Sequence, residues 1–136
     1  MIDACPDSAV LFFDVDGTLT FFDPDDMTDK DFSAVRPSRA VIEAFHRLRD
    51  AGHKAFICTG RPLWLIADSL RALEPAGIVA MAGATLEVEG RVVHEDCFDE
   101  DVIAELARRI SVAGGEALFE TNGATYSLEP VGVEQS

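Results

Sequence analysis

The segment Ala9-Val10-Leu11-Phe12-Phe13-Asp14-Val15-Asp16-Gly17-Thr18 carries the strongest structural signal in the sequence. Its first five residues are apolar without alternation, a pattern typical of a strand that is buried on both faces in a parallel sheet. Two aspartates follow, separated by Val15, and Gly17 then allows the backbone to turn tightly. We therefore expect a buried β-strand over residues 9–13 with Asp14 and Asp16 at its carboxyl end.

Two further apolar segments, Lys54 to Cys58 and Ile78 to Met81, predict a second and a third strand. Helical patterns separate these strands. The first helix begins near Pro37 and ends at Gly52, and its apolar face is formed by Val41, Ile42, Phe45 and Leu48. The second begins at Pro62, and its apolar face is formed by Leu63, Ile66, Leu70 and Leu73. This alternation of strands and helices predicts a right-handed parallel α/β unit.

The pattern changes after the third strand. Residues 85–94 alternate around Glu89-Gly90, which predicts a hairpin with a glycine turn. A helix is expected to begin at Asp99 or Asp101, and Asn122-Gly123 predicts a second hairpin. We therefore divide the chain into an α/β part, residues 1–97, and an antiparallel α+β part, residues 98–136.

The composition indicates a folded, acidic protein. The chain has 136 residues, of which 48% are hydrophobic, and its 25 acidic and 11 basic side chains give a net charge of -14. This charge argues against nucleic acid or an anionic membrane surface as a partner, because both require a basic patch. Five aspartates between Asp23 and Asp31 predict a solvated loop. No apolar run approaches the ~20 residues of a membrane span. Three cysteines without paired spacing predict reduced thiols and a cytoplasmic location.

Unusual polar residues follow the first two predicted strands. Asp14 and Asp16 end the first strand, and Thr59, Gly60 and Arg61 follow the second. Neighbouring parallel strands lie about 4.8 Å apart, so both groups should meet where α/β sheets bind ligands. Two close carboxylates repel each other unless a cation lies between them or one is protonated, and Mg²⁺ prefers such oxygen ligands. Together with the neutral donors of Thr59 and Gly60, they predict a phosphoryl-transfer site.

Simpler interpretations of the same residues stay open at this point. The two aspartates could belong to a solvated turn, and residues 59–62 could form an ordinary strand-to-helix connection. Arg61 could contact a substrate, or it could pack its aliphatic stem at the start of the helix. Cys58 is expected to be a small buried strand residue, because no arginine stands six positions after it, where a cysteine phosphatase requires one.

Two motifs resemble those of the haloacid dehalogenase superfamily. Residues Phe12-Phe13-Asp14-Val15-Asp16-Gly17-Thr18-Leu19-Thr20 resemble its first motif, and Ile57-Cys58-Thr59-Gly60-Arg61-Pro62 resembles its second. The order of the later elements is similar to that of the Cof-type branch, subfamily IIB, although Ala82 stands where that branch usually has asparagine. The resemblance implies a Rossmann-like parallel sheet with the beginning of an inserted α+β cap after the third strand.

The resemblance also implies roles for the site residues. Asp14 would be the nucleophile that forms an aspartyl-phosphate, and Asp16 would be the general acid and then the general base. Mg²⁺ would be bound by the Asp14 carboxylate and the Asp16 backbone carbonyl. Thr59, Gly60 and Arg61 would bind the substrate phosphate. The implied activity is that of a phosphatase acting on a small phosphorylated metabolite similar to a sugar phosphate.

One departure from the family concerns two motifs that complete members carry beyond the cap, a lysine and an acidic metal-binding pair. Nothing after Pro130 resembles either, and the only lysines are Lys30 and Lys54. We therefore expect a chain truncated within the cap: a fragment, a truncated descendant or one part of a split enzyme. The alternative function is a catalytically incomplete chain that binds Mg²⁺ or phosphate, or that requires a complementing polypeptide. Half a sheet would also leave an unpaired edge strand, which favours self-association.

Overall fold

The computed structural model describes residues 8–20 and 36–128, so the predicted loop at residues 23–31 lies outside the described residues. The chain forms two compact units that divide between Glu95 and Asp96. This division lies two residues before the boundary expected from the sequence. Within the described residues, no helix has the length and apolar character that a membrane crossing requires.

The first unit is built on a mixed five-stranded sheet whose strands lie side by side in chain order. β1, β2 and β3 are parallel to one another, and β4 and β5 continue the sheet as an antiparallel hairpin. The predicted α/β fold is therefore confirmed, and the hairpin belongs to the same sheet. The strands span Val10–Asp14 (β1), Lys54–Cys58 (β2), Gly77–Ala80 (β3), Thr85–Val88 (β4) and Arg91–Glu95 (β5).

The core of the first unit lies on one face of this sheet. Helix α1, Arg39–Asp50, buries Phe45 there, and the side chain of Ser38 caps the helix by accepting a hydrogen bond from the Val41 N–H. Arg47 and Arg49 lie in the last turn of α1, where positive charge interacts favourably with the helix dipole. The same core contains Ala55 and Ile57 of β2, Ile78 and Ala80 of β3, and Ile66, Leu70 and Leu73.

The expectation that β1 is buried on both faces is wrong. Val10 and Phe12 are 58% and 60% exposed, whereas Phe13 on the opposite face packs its ring against Phe45. The physical reason is that β1 lies at the edge of the sheet formed by the described residues, and that their core covers only one face of it. An apolar run without alternation indicates a strand, but it does not fix what covers each face.

The helix expected to begin at Pro62 is interrupted. A single 3₁₀ turn, Leu63–Leu65, is followed by extended backbone at Ile66 and Ala67 and then by the short helix α2, Asp68–Arg71. The predicted apolar face is nevertheless correct, because Ile66, Leu70 and Leu73 are buried and Leu63 packs against them. Two short helical segments therefore bury the side chains that one continuous helix was expected to bury.

The second unit contains one helix and one hairpin. Helix α3, Glu100–Val112, begins after Asp99, and acidic residues in its first turn interact favourably with the helix dipole. β6, Ala117–Glu120, pairs antiparallel with β7, Thr125–Leu128, on either side of the predicted Asn122-Gly123 turn. These elements agree with the expected α+β pattern. That this unit is the beginning of a cap stays a prediction.

Candidate functional site

The candidate site lies at the carboxyl ends of the parallel strands. Asp14, the last residue of β1, stands beside Cys58, the last residue of β2, in the strand register. Asp14, Thr59 and Gly60 line one cavity of about 320 Å³, which is completed by Cys58, Val79, Ala82 and Gly83. The structure therefore brings three of the predicted site residues together, as the parallel arrangement of the strands requires.

The turn after β1 is fixed by the carbonyl oxygen of Val15. This oxygen accepts hydrogen bonds from the N–H groups of Leu19 and Thr20 and from the Thr20 hydroxyl, at 3.0 to 3.1 Å. Val15 and Thr20 are almost fully buried, and Gly17 has a φ of +83°, a backbone conformation that favours glycine. The buried turn thus holds the backbone of Asp16 close to the end of β1.

Asp16 and Arg61 do not line the cavity but contact each other. An Nη2 atom of Arg61 lies 2.5 Å from Oδ1 of Asp16, and the Arg61 side chain is only 11% exposed, against 45% for Asp16. This ion pair joins the loop after β1 to the loop after β2. Neither of the two sequence interpretations of Arg61 anticipated it, because 45 residues separate the partners and no local pattern marks the contact.

Thr59 is a buried hydroxyl whose surroundings orient it. Its N–H donates to the Val79 carbonyl, and its Oγ1 accepts from the Arg61 N–H at 3.2 Å. The side chain is 6% exposed and contributes to the cavity wall. Among the described residues no acceptor takes its hydroxyl hydrogen, so this hydrogen can be donated to an anion in the cavity.

The connection between β3 and β4 clamps the Thr59–Arg61 loop. The Met81 N–H donates to the Arg61 carbonyl at 3.0 Å, and the Ala82 N–H donates to the Thr59 carbonyl at 3.1 Å. Met81 and Ala82 adopt left-handed backbone conformations, with φ of 51° and 54°, which are costly for non-glycine residues. Ala82 lies in the cavity wall, a place that its departure from the family pattern did not predict. The adjacent Gly83 was the available signal for an unusual turn.

Cys58 lies in the cavity wall beside Asp14. Burial, and then the negative charge of Asp14, raise the pKa of the Cys58 thiol above its usual value. A raised pKa keeps the thiol protonated and poorly nucleophilic near neutral pH. Cys58 ends β2, as expected, but it is half-buried in the cavity wall and not fully buried.

The donors at the site fit Mg²⁺. This ion is commonly bound by one or two carboxylates together with water and substrate phosphate, rather than by a complete protein cage. Asp14 supplies a carboxylate in the cavity wall, whereas the Asp16 carboxylate contacts Arg61, so the second oxygen ligand would be the Asp16 backbone carbonyl that the family resemblance implies. The described residues contain no group of three or more His, Cys, Asp or Glu side chains able to hold a metal. Lys54 cannot supply a cation here, because it begins β2, opposite Val10 in the strand register, whereas the site lies at the end of β2.

Comparison with known proteins identifies the family. The sequence model of the haloacid dehalogenase-like hydrolase family matches residues 11–136. The chain belongs to the haloacid dehalogenase-like hydrolases. The resemblance inferred from the two motifs is therefore confirmed, and the mixed sheet of the first unit is the Rossmann-like core of this family.

Other haloacid dehalogenase-like proteins resemble the chain in sequence and in structure. It is 26% identical over 127 residues, 91% of its length, to the Bacillus subtilis (strain 168) protein named "Putative phosphatase YkrA", of which it covers 45%. It superposes on BT1666 from Bacteroides thetaiotaomicron, described as a phosphatase of this superfamily, with a TM-score of 0.74 and 22% identity, covering 93% of this chain and 44% of that one. It also superposes on the subclass IIB sugar phosphatase BT4131 with a TM-score of 0.66 and 27% identity, covering 88% of this chain and 43% of that one. The chain thus spans less than half the length of these relatives.

Proposed function

We propose that the chain carries the nucleophile and the phosphate-binding loop of a Mg²⁺-dependent phosphatase. Its substrate would be a small phosphorylated metabolite similar to a sugar phosphate. The observation that carries this proposal is the single cavity lined by Asp14, Thr59 and Gly60 at the ends of parallel strands, in a haloacid dehalogenase-like hydrolase. The sugar phosphatase BT4131, 27% identical to this chain, supports the substrate class.

The reaction would proceed in two displacements. A carboxylate oxygen of Asp14 attacks phosphorus, the bond from phosphorus to the leaving oxygen breaks, and Asp16 donates a proton to that oxygen. Asp16 then accepts a proton from water, whose oxygen attacks the aspartyl-phosphate, and the bond from phosphorus to Asp14 breaks. Inorganic phosphate leaves, and both aspartates return to their starting states.

The remaining residues of the site would bind and neutralise the phosphoryl group. The Thr59 hydroxyl and the Gly60 N–H would donate hydrogen bonds to its oxygens, and the buried position of Thr59 makes this donor pre-oriented. Mg²⁺ would be held by the Asp14 carboxylate and the Asp16 backbone carbonyl. When bound, it offsets the negative charge that Asp14 and the phosphoryl oxygens bring together.

Hydrolysis of 4-nitrophenyl phosphate, with and without Mg²⁺, tests this proposal. We expect turnover that requires Mg²⁺ and that falls by at least about a thousandfold in Asp14→Asn, because the amide is a poor nucleophile. Asp50→Asn, at the exposed end of α1, is the matched control and should keep the parent rate. Turnover that persists in Asp14→Asn would remove Asp14 from the nucleophile role.

A second candidate function is binding of Mg²⁺ or phosphate without turnover. In this case turnover would require a complementing polypeptide that supplies a lysine and an acidic metal-binding pair. It is favoured by the absence of a third acidic ligand among the described residues and by the position of Lys54 at the far end of β2. Calorimetry separates the two candidates. Phosphate binding in the presence of Mg²⁺, combined with no hydrolysis, would support binding alone, whereas turnover by the isolated chain would exclude it.

Self-association through the edge of β1 is a further part of the proposal. β1 pairs only with β2 among the described strands, and its Val10 and Phe12 are more than half exposed. Unpaired edges of this kind promote strand addition. Sedimentation should detect a dimer that Phe12→Lys weakens, and a strictly monomeric parent chain would contradict this part.

We also propose a cytoplasmic location, based on cysteines without paired spacing in the sequence. Among the described residues, Cys58 and Cys97 form no disulfide.

A further inference from the structure

The backbone of Arg61 is held at two points, and its guanidinium contacts Asp16. Its N–H donates to Thr59 Oγ1, its carbonyl accepts from the Met81 N–H, and its guanidinium contacts Oδ1 of Asp16. The side chain is nearly buried, whereas Asp16 is about half exposed. Arg61 is the more buried partner of this ion pair, and a buried side chain has fewer alternative rotamers than the half-exposed Asp16.

We propose that Arg61 is a positioning residue for Asp16. The guanidinium bonds Oδ1, and Oδ2 carries the proton that Asp16 gives to the leaving oxygen and later takes back from water. This inference rests on the proposed function, because it takes Asp16 to be the group that moves the proton. It assigns Arg61 a role different from the phosphate contact implied by the family resemblance.

The contacts favour positioning over direct phosphate binding. Arg61 does not line the cavity that contains Asp14, Thr59 and Gly60, and its guanidinium is already engaged by a carboxylate. A half-exposed aspartate without a partner would sample several side-chain conformations, of which few point toward a substrate. A charge-assisted hydrogen bond from a fixed arginine removes that freedom at one oxygen only. Proton transfer depends on such placement, since donor and acceptor must approach to hydrogen-bond distance.

The test uses substrates that differ in their need for a proton. The leaving group of 4-nitrophenyl phosphate departs readily as an anion, whereas that of glycerol phosphate must be protonated as it leaves. If Arg61 positions Asp16, Arg61→Gln should lower kcat/KM for glycerol phosphate by roughly 10- to 100-fold, a part of the range that acid–base groups contribute. It should change kcat/KM for 4-nitrophenyl phosphate by no more than about threefold, because kcat/KM reports formation of the aspartyl-phosphate, in which this leaving group needs no proton, and because the phosphate contacts stay intact.

Two further variants complete the comparison. Arg61→Lys should recover part of the lost kcat/KM for glycerol phosphate, because an ammonium can still bond Oδ1. Arg71→Gln is the matched control: Arg71 also forms a partly buried ion pair, with Glu87 at 2.8 Å, and its loss should leave both kcat/KM values unchanged. An equal loss of kcat/KM on the two substrates would overturn the proposal and favour a phosphate contact.

A stability measurement separates failure of this inference from failure of the proposed function. In a double-mutant cycle, the changes in Tm caused by Arg61→Gln and by Asp16→Asn should not add up to the change in the double variant. The reason is that each single substitution breaks the same contact. Additive effects would overturn the Arg61–Asp16 pairing whatever the activity. Non-additive effects in a chain without turnover on either substrate would instead overturn the proposed function, and with it the positioning role.

Discussion

Replacing Gly77 with alanine tests the strand register that builds the site. Gly77 begins β3, where its register partners are Phe56 in β2 and Val88 in β4. A Cβ atom at this position would lie 2.5 Å from the Glu87 carbonyl oxygen and 2.5 Å from a ring carbon of Phe56. The ring can move slightly, but the carbonyl belongs to the backbone of β4, so the strands themselves must shift.

The expected loss of stability follows from these contacts. Overpacking of this kind costs up to about 3 kcal/mol. Alanine also lowers the conformational entropy of the unfolded chain, which raises the free energy of unfolding by roughly 0.4 to 1 kcal/mol. This gain applies here because Gly77 does not adopt a left-handed conformation, so alanine fits its backbone. The free energy of unfolding should therefore fall by about 2 kcal/mol. At roughly 4 °C per kcal/mol for a domain of this size, Tm should fall by about 8 °C.

Urea unfolding followed by circular dichroism measures this loss directly. Gly123→Ala is the matched control, because a Cβ atom there meets nothing within 4 Å and its φ is not left-handed. The control should stay within about 0.5 kcal/mol of the parent. A Gly77→Ala variant as stable as the parent would show that β3 does not lie between β2 and β4 in the described register.

Two further predictions concern the cavity wall. Ala82→Gly should raise the free energy of unfolding by about 0.5 to 1 kcal/mol in the same urea assay. Glycine removes the strain of a φ of 54° from the folded state, and this gain exceeds the increase in the conformational entropy of the unfolded chain. A loss of stability would contradict the strained turn. With iodoacetamide at pH 8, the exposed Cys97 should be alkylated before Cys58, because the raised pKa of Cys58 lowers its thiolate fraction. Asp14→Asn should accelerate alkylation of Cys58, as followed by peptide mass spectrometry, and equal rates in the parent and this variant would argue against the influence of Asp14 on the thiol.

The regular elements could be predicted where local sequence signals were strong. The hairpin turn at Glu89-Gly90 was recognisable because glycine supplies the left-handed conformation that the turn requires, with a φ of 74° at Gly90. Asn122-Gly123 also marked a hairpin correctly, although Gly123 does not adopt a left-handed conformation there. The exposed face of β1 was not predictable, because exposure depends on what the rest of the fold places over Val10 and Phe12. The break at Ile66 was missed for a related reason, since the spacing of apolar residues fixes a buried face but not a continuous helix.

The candidate site was predictable where it depends on the positions of strand ends, and not where it depends on contacts between side chains. Parallel strands end at one edge of a sheet, so the meeting of Asp14 with Thr59 and Gly60 followed from their positions at strand ends. The contact between Arg61 and Asp16 depends on side-chain placement across two loops, for which the sequence holds no local pattern.

Chemical trapping of an aspartyl-phosphate is the most direct test of the account. The chain is incubated with acetyl phosphate and Mg²⁺, treated with borohydride, which reduces an aspartyl-phosphate to homoserine, and examined by peptide mass spectrometry. We predict homoserine at position 14 only when both Mg²⁺ and the phosphoryl donor are present. Homoserine at another aspartate, or hydrolysis of the donor without any modification of Asp14, would contradict the account.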